Sequence, residues 1–193
     1  YLLGETSEVR NLFVCCGFNS IGIASSGGAG RVTAEWMING YMSEDLYSLD
    51  IKRFQKFHSS KKFIMNRVTE TLGDLYGMHW PYKQHITSRD QKLLPYHDEL
   101  KKAGACFGQS GEYERPMWFA LDGTKPEYKY SFNYQNWYPS AEHESKNTIK
   151  NVGLFELSPF SKYEIKGTKA HEELQRLCTA NIKNEIGKCT YTH

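Results

Sequence analysis

NLFVCCGFNSIGIASSGGAGRVTAEWMING, residues 11–40, decides how the rest of the chain is read. Leu12 to Cys16 is a short, continuous apolar run, the pattern of a buried strand. Residues 17–30 are mostly glycine, serine and alanine, a composition that lets something lie close against the backbone. From about Ala29 to Ile38 the spacing predicts a helix, with Ala29, Val32 and Trp36 on one apolar face and Met37 beside them. Asn39-Gly40 supplies its C-terminal stop. Residues 12–40 thus read as strand, loop and helix, the kind of unit that ends a nucleotide-binding α/β domain.

Several ligands use glycine-rich turns, and the residues discriminate among them. A phosphate-binding P-loop ends in Gly-Lys-Ser/Thr, so that an ammonium meets the phosphates and a hydroxyl meets magnesium. Gly22 and Gly27 have that spacing, but Gly28-Ala29 stands where the lysine and hydroxyl belong. A dinucleotide fingerprint needs Gly-x-Gly-x-x-Gly directly after the strand, and Gly28-Ala29-Gly30 carries only its beginning, too late in the run. Two readings are left open by the residues alone. One is a flat ring laid over the helix N-terminus, where backbone N–H groups near residues 20–24 would stabilise the negative charge of a reduced flavin. The other is a structural turn with close helix–strand packing.

Outward from this stretch, the composition is that of a packed chain. Of 193 residues, 39% are apolar and 14% aromatic, and the net charge is only +2 with both signs dispersed, which argues against a nucleic-acid surface. The cysteines Cys15, Cys16, Cys106, Cys178 and Cys189 are odd in number and lack Cys-x-x-Cys spacing, and no Asn-x-Ser/Thr acceptor occurs. This predicts free or buried thiols in a reducing compartment. The histidines share no ligand spacing with the cysteines, so no metal site is expected. No apolar run has the length of a membrane span. The chain opens on Tyr1 and closes on GKCTYTH, which reads as an internal piece of something longer.

Beyond residue 40, DIKRFQKF predicts a short helix and KKFIMNRVTETLGDLYG a longer one, broken by Gly77 to Pro81. In the loop-rich 82–127 region, YHDELKKAG is a short helix stopping at Gly104, ACFG a strand, and ERPMWFA a turn followed by a strand. Aromatic EYKYSFNYQNWYPS reads as a tether packed on a surface. A helix from Ala141 to about Asn151, strands in GLFELS, KYEIKG and KCTYT, and a helix in AHEELQRLCTA complete an α+β opening.

These stretches in order resemble the dimethylglycine and sarcosine dehydrogenase family. GFNSIGIASSGGAG with AEWMINGYMSEDLYSLDIKRF is similar to the end of its flavin domain, and GACFG and ERPMWF to its middle region. VGLFELSPFSKYEIKG, LQRLCTANI and the terminal TYT are similar to the start of its folate-binding aminomethyltransferase-like domain. The resemblance implies a mixed α/β and α+β fold. Residues 1–52 would be the C-terminal end of an FAD-dependent oxidoreductase domain, 53–127 its middle domain, and 128–193 the N-terminal start of a glycine cleavage T-protein-like domain.

By the same resemblance the parent protein is an FAD-dependent amine oxidoreductase acting on CH–NH bonds. It would oxidatively demethylate sarcosine or dimethylglycine and pass the one-carbon unit to tetrahydrofolate. Asn19, Ser20, Ile21, Gly22, Ile23 and Ala24 would line the FAD. Monomeric sarcosine oxidases have a lysine by the flavin at the position of Ala24, so a dehydrogenase feeding a protein acceptor such as electron-transfer flavoprotein is the better match. The expected setting is the mitochondrial matrix, or the cytoplasm in a bacterium. Catalytic residues would lie outside the chain, which by itself should be inactive. The alternative is a non-catalytic regulatory subunit of pyruvate dehydrogenase phosphatase, which resembles the family throughout. Departures are mild: Glu156 stands where the family usually has aspartate, Glu112-Tyr113 precedes Glu114-Arg115-Pro116 in place of Gly-Trp, and Leu94-Pro95-Tyr96 replaces Ser-Pro-Leu-Tyr. His79, Arg115, Trp118, Trp137 and Tyr138 are read as structural, with Arg115 paired to Glu112, Glu114 or a backbone carbonyl.

Overall fold

A computed structural model describes residues 1–193. It is a mixed α/β structure of two small antiparallel hairpins and five helices, and it begins by pairing the expected strand. Strand β2 (Phe13–Cys16) runs antiparallel to β1 (Leu2–Glu5) with Leu3 opposite Cys15 and Gly4 opposite Val14. The sequence suggests a buried β2; instead Cys15 and Cys16, which point to opposite faces at the end of this two-stranded ribbon, are both exposed. The covered face carries Leu3, fully buried, beneath helix α1 (Gly22–Asn39). Trp36 of α1 meets Phe13 edge-on, with ring centroids 5.8 Å apart. Gly4 makes that contact possible: its φ is +110°, and a Cβ there would stand 2.4 Å from the Trp36 ring. Residues 49–53 close the outer edge of β1. Leu3 N–H donates to Leu49 O at 2.9 Å, and Arg53 donates to Tyr1 O at 2.6 Å.

Helix α1 is where sequence and structure differ most. The expected loop of residues 17–30 is helical from Gly22, seven residues ahead of Ala29. Glycine lowers helix propensity but does not forbid a helix whose other end is packed. Val32, Thr33 and Trp36 are buried, and Gly40 ends the helix at φ +78° as expected. DIKRFQKF forms two short 3-10 turns, Ile51–Arg53 and Lys56–Ser59, rather than one helix.

Helix α2 (Lys61–Tyr76) forms over the expected residues, but its apolar stripe does not anchor it. Only Phe63 is buried, while Ile64, Val68, Leu72 and Leu75 are half-exposed. Charged side chains hold it instead: Arg67 donates to Thr87 O and to Gln109 at 3.3 Å, and Glu70 accepts from Ile86 N at 2.8 Å and Thr87 N at 2.9 Å.

After helix α3 (His97–Lys102), Gly104 turns the chain at φ +85° into a second hairpin. Strands β3 (Ala105–Ser110) and β4 (Tyr113–Phe119) pair around Gly111-Glu112, both at positive φ, the geometry of a two-residue hairpin turn. A bulge between Cys106 and Phe107 lets Pro116 sit inside a strand, so ERP belongs to β4 and not to a turn. Glu114, wholly buried, is the centre of this unit. It accepts from Arg89 Nε at 2.8 Å and Asp90 N at 3.0 Å and also pairs with Arg89 Nη2.

The aromatic tether packs as expected: Tyr128 and Tyr130 stack 5.5 Å apart and Trp137 meets both edge-on. Its proline does not terminate it. Pro139 lies in the first turn of helix α4 (Tyr138–Lys150), where a missing N–H costs nothing. Helix α5 (Ala170–Leu177) forms within the expected AHEELQRLCTA and stops three residues short, at Cys178 as C-cap. GLFELS, KYEIKG and KCTYT form no strands. A strand needs a neighbour to take its N–H and C=O groups, and these segments run past exposed apolar side chains such as Leu154 and Phe155 without one.

All five cysteines are free. Burial pushes the Cys106 thiol up to about 11, whereas Cys15, Cys16 and Cys189 are exposed. Thiol titration of the folded chain with a disulfide reagent should modify those exposed cysteines within the fast phase and Cys106 only on unfolding. Fast labelling of Cys106, located by peptide mapping, would contradict this packing. No helix is long and apolar enough to cross a membrane.

Candidate functional site

The expected flavin-lining residues Asn19, Ser20, Ile21, Gly22, Ile23 and Ala24 form the entry to α1. Gly17 at φ +75° and Ser20 at φ +65° turn the chain sharply from β2 into the helix. Phe18 stacks on Tyr1 with centroids 5.4 Å apart, fixing the turn to β1. Ser20 receives a hydrogen bond from Tyr76, the last residue of α2. Ile21 is the N-cap residue and offers no side-chain cap, and no acidic residue occupies the first turn. The N–H groups of Gly22, Ile23 and Ala24 therefore have no acceptor within the chain. A Cβ on Gly22 would meet only Phe18, at 3.7 Å.

Small residues continue along the same helix. Ser25, Gly28, Ala29 and Val32 share a face and line a largely apolar cleft of about 300 Å³, closed opposite by Leu46 and Leu49. Arg31 bonds Glu35 at 3.0 Å and also pairs with Glu44 at its rim. Added Cβ atoms on Gly27, Gly28 or Gly30 would meet nothing within 4 Å. Close packing inside the chain therefore does not account for these glycines.

A flavin fits this entry. It offers free N–H donors, the positive end of a helix dipole, and small residues at the approach. No side-chain charge competes there.

The other singled-out residues scatter. His79 is exposed and Trp118 is buried on β4, while Trp137 sits in the aromatic cluster and Tyr138 opens α4. Arg115 departs from its expected pairing. Glu114 and Arg115 point to opposite faces of β4, and Glu114 is taken by Arg89. Glu112, in the turn, pairs with His58 at 3.2 Å. Arg115 lies over the ring of Phe160, 5.3 Å away, and its Nε has no partner.

Glu70, Asp74 and His85 bring ligand-type atoms within 4.8 Å of one another, a cluster the sequence spacing does not reveal. Its carboxylates are already engaged, while His85 Nδ1 makes no hydrogen bond. Lys83 pairs with Asp74, and Glu70 accepts from Ile86 and Thr87. Burial opposes the charged form of Glu70, but the Thr87 and Ile86 hydrogen bonds outweigh it and hold the carboxyl down at about 2. A resident ammonium and satisfied oxygens make this a polar brace between α2 and the 83–87 loop.

Comparison with known proteins gives the family of the chain. Residues 39–93 match the family model for the FAD dependent oxidoreductase central domain, and residues 96–193 match the GCVT N-terminal domain. The chain is 42% identical over 192 residues to 4-methylaminobutanoate oxidase (formaldehyde-forming) of Paenarthrobacter nicotinovorans, covering 100% of this chain and 23% of the relative. It is 33% identical over 201 residues to the mitochondrial pyruvate dehydrogenase phosphatase regulatory subunit of Mus musculus, covering 99% of this chain and 22% of the relative. With the mitochondrial sarcosine dehydrogenase of Homo sapiens it shares 29% over 218 residues, 99% of this chain and 24% of the relative. The chain thus spans about a quarter of the length of the curated relatives it matches. With the oxidoreductase central domain followed directly by the GCVT N-terminal domain, the chain belongs to the family of FAD-dependent oxidoreductases that includes the sarcosine and dimethylglycine dehydrogenases.

Proposed function

We propose that the chain is the bridging segment of an FAD-dependent enzyme that demethylates a small N-methyl amino acid and hands the one-carbon unit to tetrahydrofolate. The observation that carries this reading is the open entry to α1, where Gly22, Ile23 and Ala24 present unpaired N–H groups. Bound FAD would supply the acceptor for a hydride equivalent leaving the N-methyl carbon. Residues Asn19 to Ala24 would hold it: the free N–H groups of Gly22, Ile23 and Ala24 would donate to its anionic edge, and the small side chains of Gly22 and Ala24 would let the ring approach. Tyr76, bonded to Ser20, ties this entry to α2 in the matched central-domain segment. In this reading the chain ends the flavin domain, carries central-domain residues 39–93 and opens the folate domain over residues 96–193. Sarcosine and dimethylglycine are the proposed substrates, and the name of the bacterial relative adds 4-methylaminobutanoate to the candidates. A protein acceptor such as electron-transfer flavoprotein takes the electrons, in the mitochondrial matrix or in a bacterial cytoplasm.

The test is an anaerobic visible spectrum of the full-length protein, with each candidate amine added in turn. Bleaching of the flavin band supports the reading and identifies the substrate. Flavin that ignores every amine, or no bound flavin, favours the second reading, a regulatory subunit, whose support is the 33% identity over nearly the whole chain. Gly22→Val sharpens the test. Its side chain has room within the chain, since only Phe18 lies near, so the helix persists while two methyl groups enter the flavin's place. The expected result is protein that elutes normally but has lost most of its flavin, read as the ratio of visible to ultraviolet absorbance. Full occupancy in this variant would reduce the entry to a structural turn.

A further inference from the structure

We propose that a second small-molecule site lies in the C-terminal half of the chain: the cleft between β4, the end of α4 and residues 152–157 binds an amino acid as its zwitterion, carboxylate on Arg115 and ammonium on Glu156. The cleft has a volume of about 310 Å³, and both charged residues line it. That is the lower end of the range of small-ligand sites, suited to an amino acid.

Two charged groups in this cleft each keep a shielded atom without a partner. Arg115 Nε is buried without a hydrogen-bond partner, and the guanidinium has only the Phe160 ring for company. Glu156 Oε1 accepts from Ser158 N at 3.0 Å, but its Oε2 is buried with no partner. Shielded charges without partners are costly, and most native structures satisfy them. The acids of the β3–β4 hairpin are otherwise engaged, Glu112 in the turn by His58 and Glu114 on β4 by Arg89, and Glu144 of α4, which also lines the cleft, has one oxygen taken by Phe119 N at 2.8 Å. A single ligand bearing both signs matches both groups. The guanidinium takes a carboxylate through its fork of N–H donors, and the free Glu156 oxygen takes an ammonium. A plain anion would meet repulsion from Glu156, and a plain cation repulsion from Arg115. Phe119, Val152 and Phe155 add apolar surface to the lining, with Val152 and Phe155 open to solvent on their outer sides.

The wall also looks built. At Gly153 a Cβ would stand 2.8 Å from Phe155 and 3.0 Å from Thr148, so the glycine lets residues 152–157 fold back against the end of α4. This site rests on its own residues and is independent of the flavin reading.

The test is equilibrium dialysis of radiolabelled glycine against the full-length protein. Glycine carries no N-methyl group, so demethylation does not consume it. Saturable binding is expected, weakened about tenfold or more by Arg115→Gln and by Glu156→Gln, the scale of a lost hydrogen bond to a charged group. Acetate separates the two roles. Its binding should be lost in Arg115→Gln but strengthened in Glu156→Gln, where the repelling charge is gone. If Arg115→Gln fails to fold by circular dichroism, Arg115→Lys, which keeps the charge but not the fork, replaces it and should still weaken glycine binding. No saturable glycine binding, or binding that both variants leave unchanged, overturns the proposal. Because neither residue touches the α1 entry, flavin content and amine bleaching report on the flavin reading separately.

Discussion

Replacing Glu114 by glutamine should destabilise the β3–β4 unit by about 3–5 kcal/mol, the usual effect of breaking a buried ion pair from one side. The carboxylate is fully buried and accepts from both Arg89 nitrogens and from Asp90 N. An amide keeps the shape but turns one acceptor into a donor, facing donors that have nowhere else to go. Arg89 also bonds His85 O at 3.0 Å and Phe107 O at 3.1 Å, so its displacement loosens the 85–90 loop as well. Amide exchange across residues 105–119 should accelerate while that of residues 1–16 stays unchanged. A loss below about 1 kcal/mol would assign the pair no more weight than a surface bridge. The acid limb follows from the same residue. Burial acts to raise the Glu114 pKa, but the Arg89 and Asp90 hydrogen bonds prevail and hold it below 4.5. A carboxyl depressed on folding contributes stability above its unfolded value. That contribution should shrink as pH falls from about 4.5 through the lower folded value, and Glu114→Gln should flatten this limb.

Gly4→Ala should be the most damaging single-methyl change in the N-terminal unit. Two costs combine. The residue holds φ at +110°, where an L side chain is strained, and the added carbon would lie 2.4 Å from the Trp36 ring. Trp36 is buried against Phe13 and Val32 shares its helix face, so the ring has little room to retreat. The expected loss is about 2–4 kcal/mol, with exchange accelerated in residues 1–16 and 30–39 and unchanged in 105–119. Gly40→Ala provides the contrast: its φ is also positive, but a Cβ there meets nothing, so only the backbone cost of about 1 kcal/mol remains. Equal effects of the two would mean that the clash is relieved without cost.

What the sequence made legible was local. The long periodic run of residues 61–76, the Gly40 stop and the ACFG strand are written in spacing and turn residues, and they appear where those signals fall. The entry to α1 was misread because glycine-rich composition argues for a loop, whereas packing of Val32 and Trp36 carries the helix back through it to Gly22. The expected C-terminal strands failed for the opposite reason. Alternating apolar residues give a segment the tendency to pair but do not provide a partner. The candidate site was half legible: Asn19 to Ala24 come together as an uncapped helix entry, yet the Tyr76–Ser20 bond that braces it joins residues far apart in sequence. The same distance hides Arg89 from Glu114. No spacing rule connects such pairs; only the fold does.

The seam between β1 and residues 49–53 sets an order for assembly during synthesis. The β1–β2 pair is complete once Cys16 has left the ribosome, but the other edge of Leu3 waits for the backbone of Leu49 and Asp50. At roughly 5–20 residues per second, that edge stays open for on the order of seconds. Over this interval the nascent chain presents a bare strand border, open to chaperone capture or to pairing with a neighbouring chain on a crowded polysome. Arrival of Arg53 at the Tyr1 carbonyl then acts as a latch, ending the interval in which mispairing competes with folding.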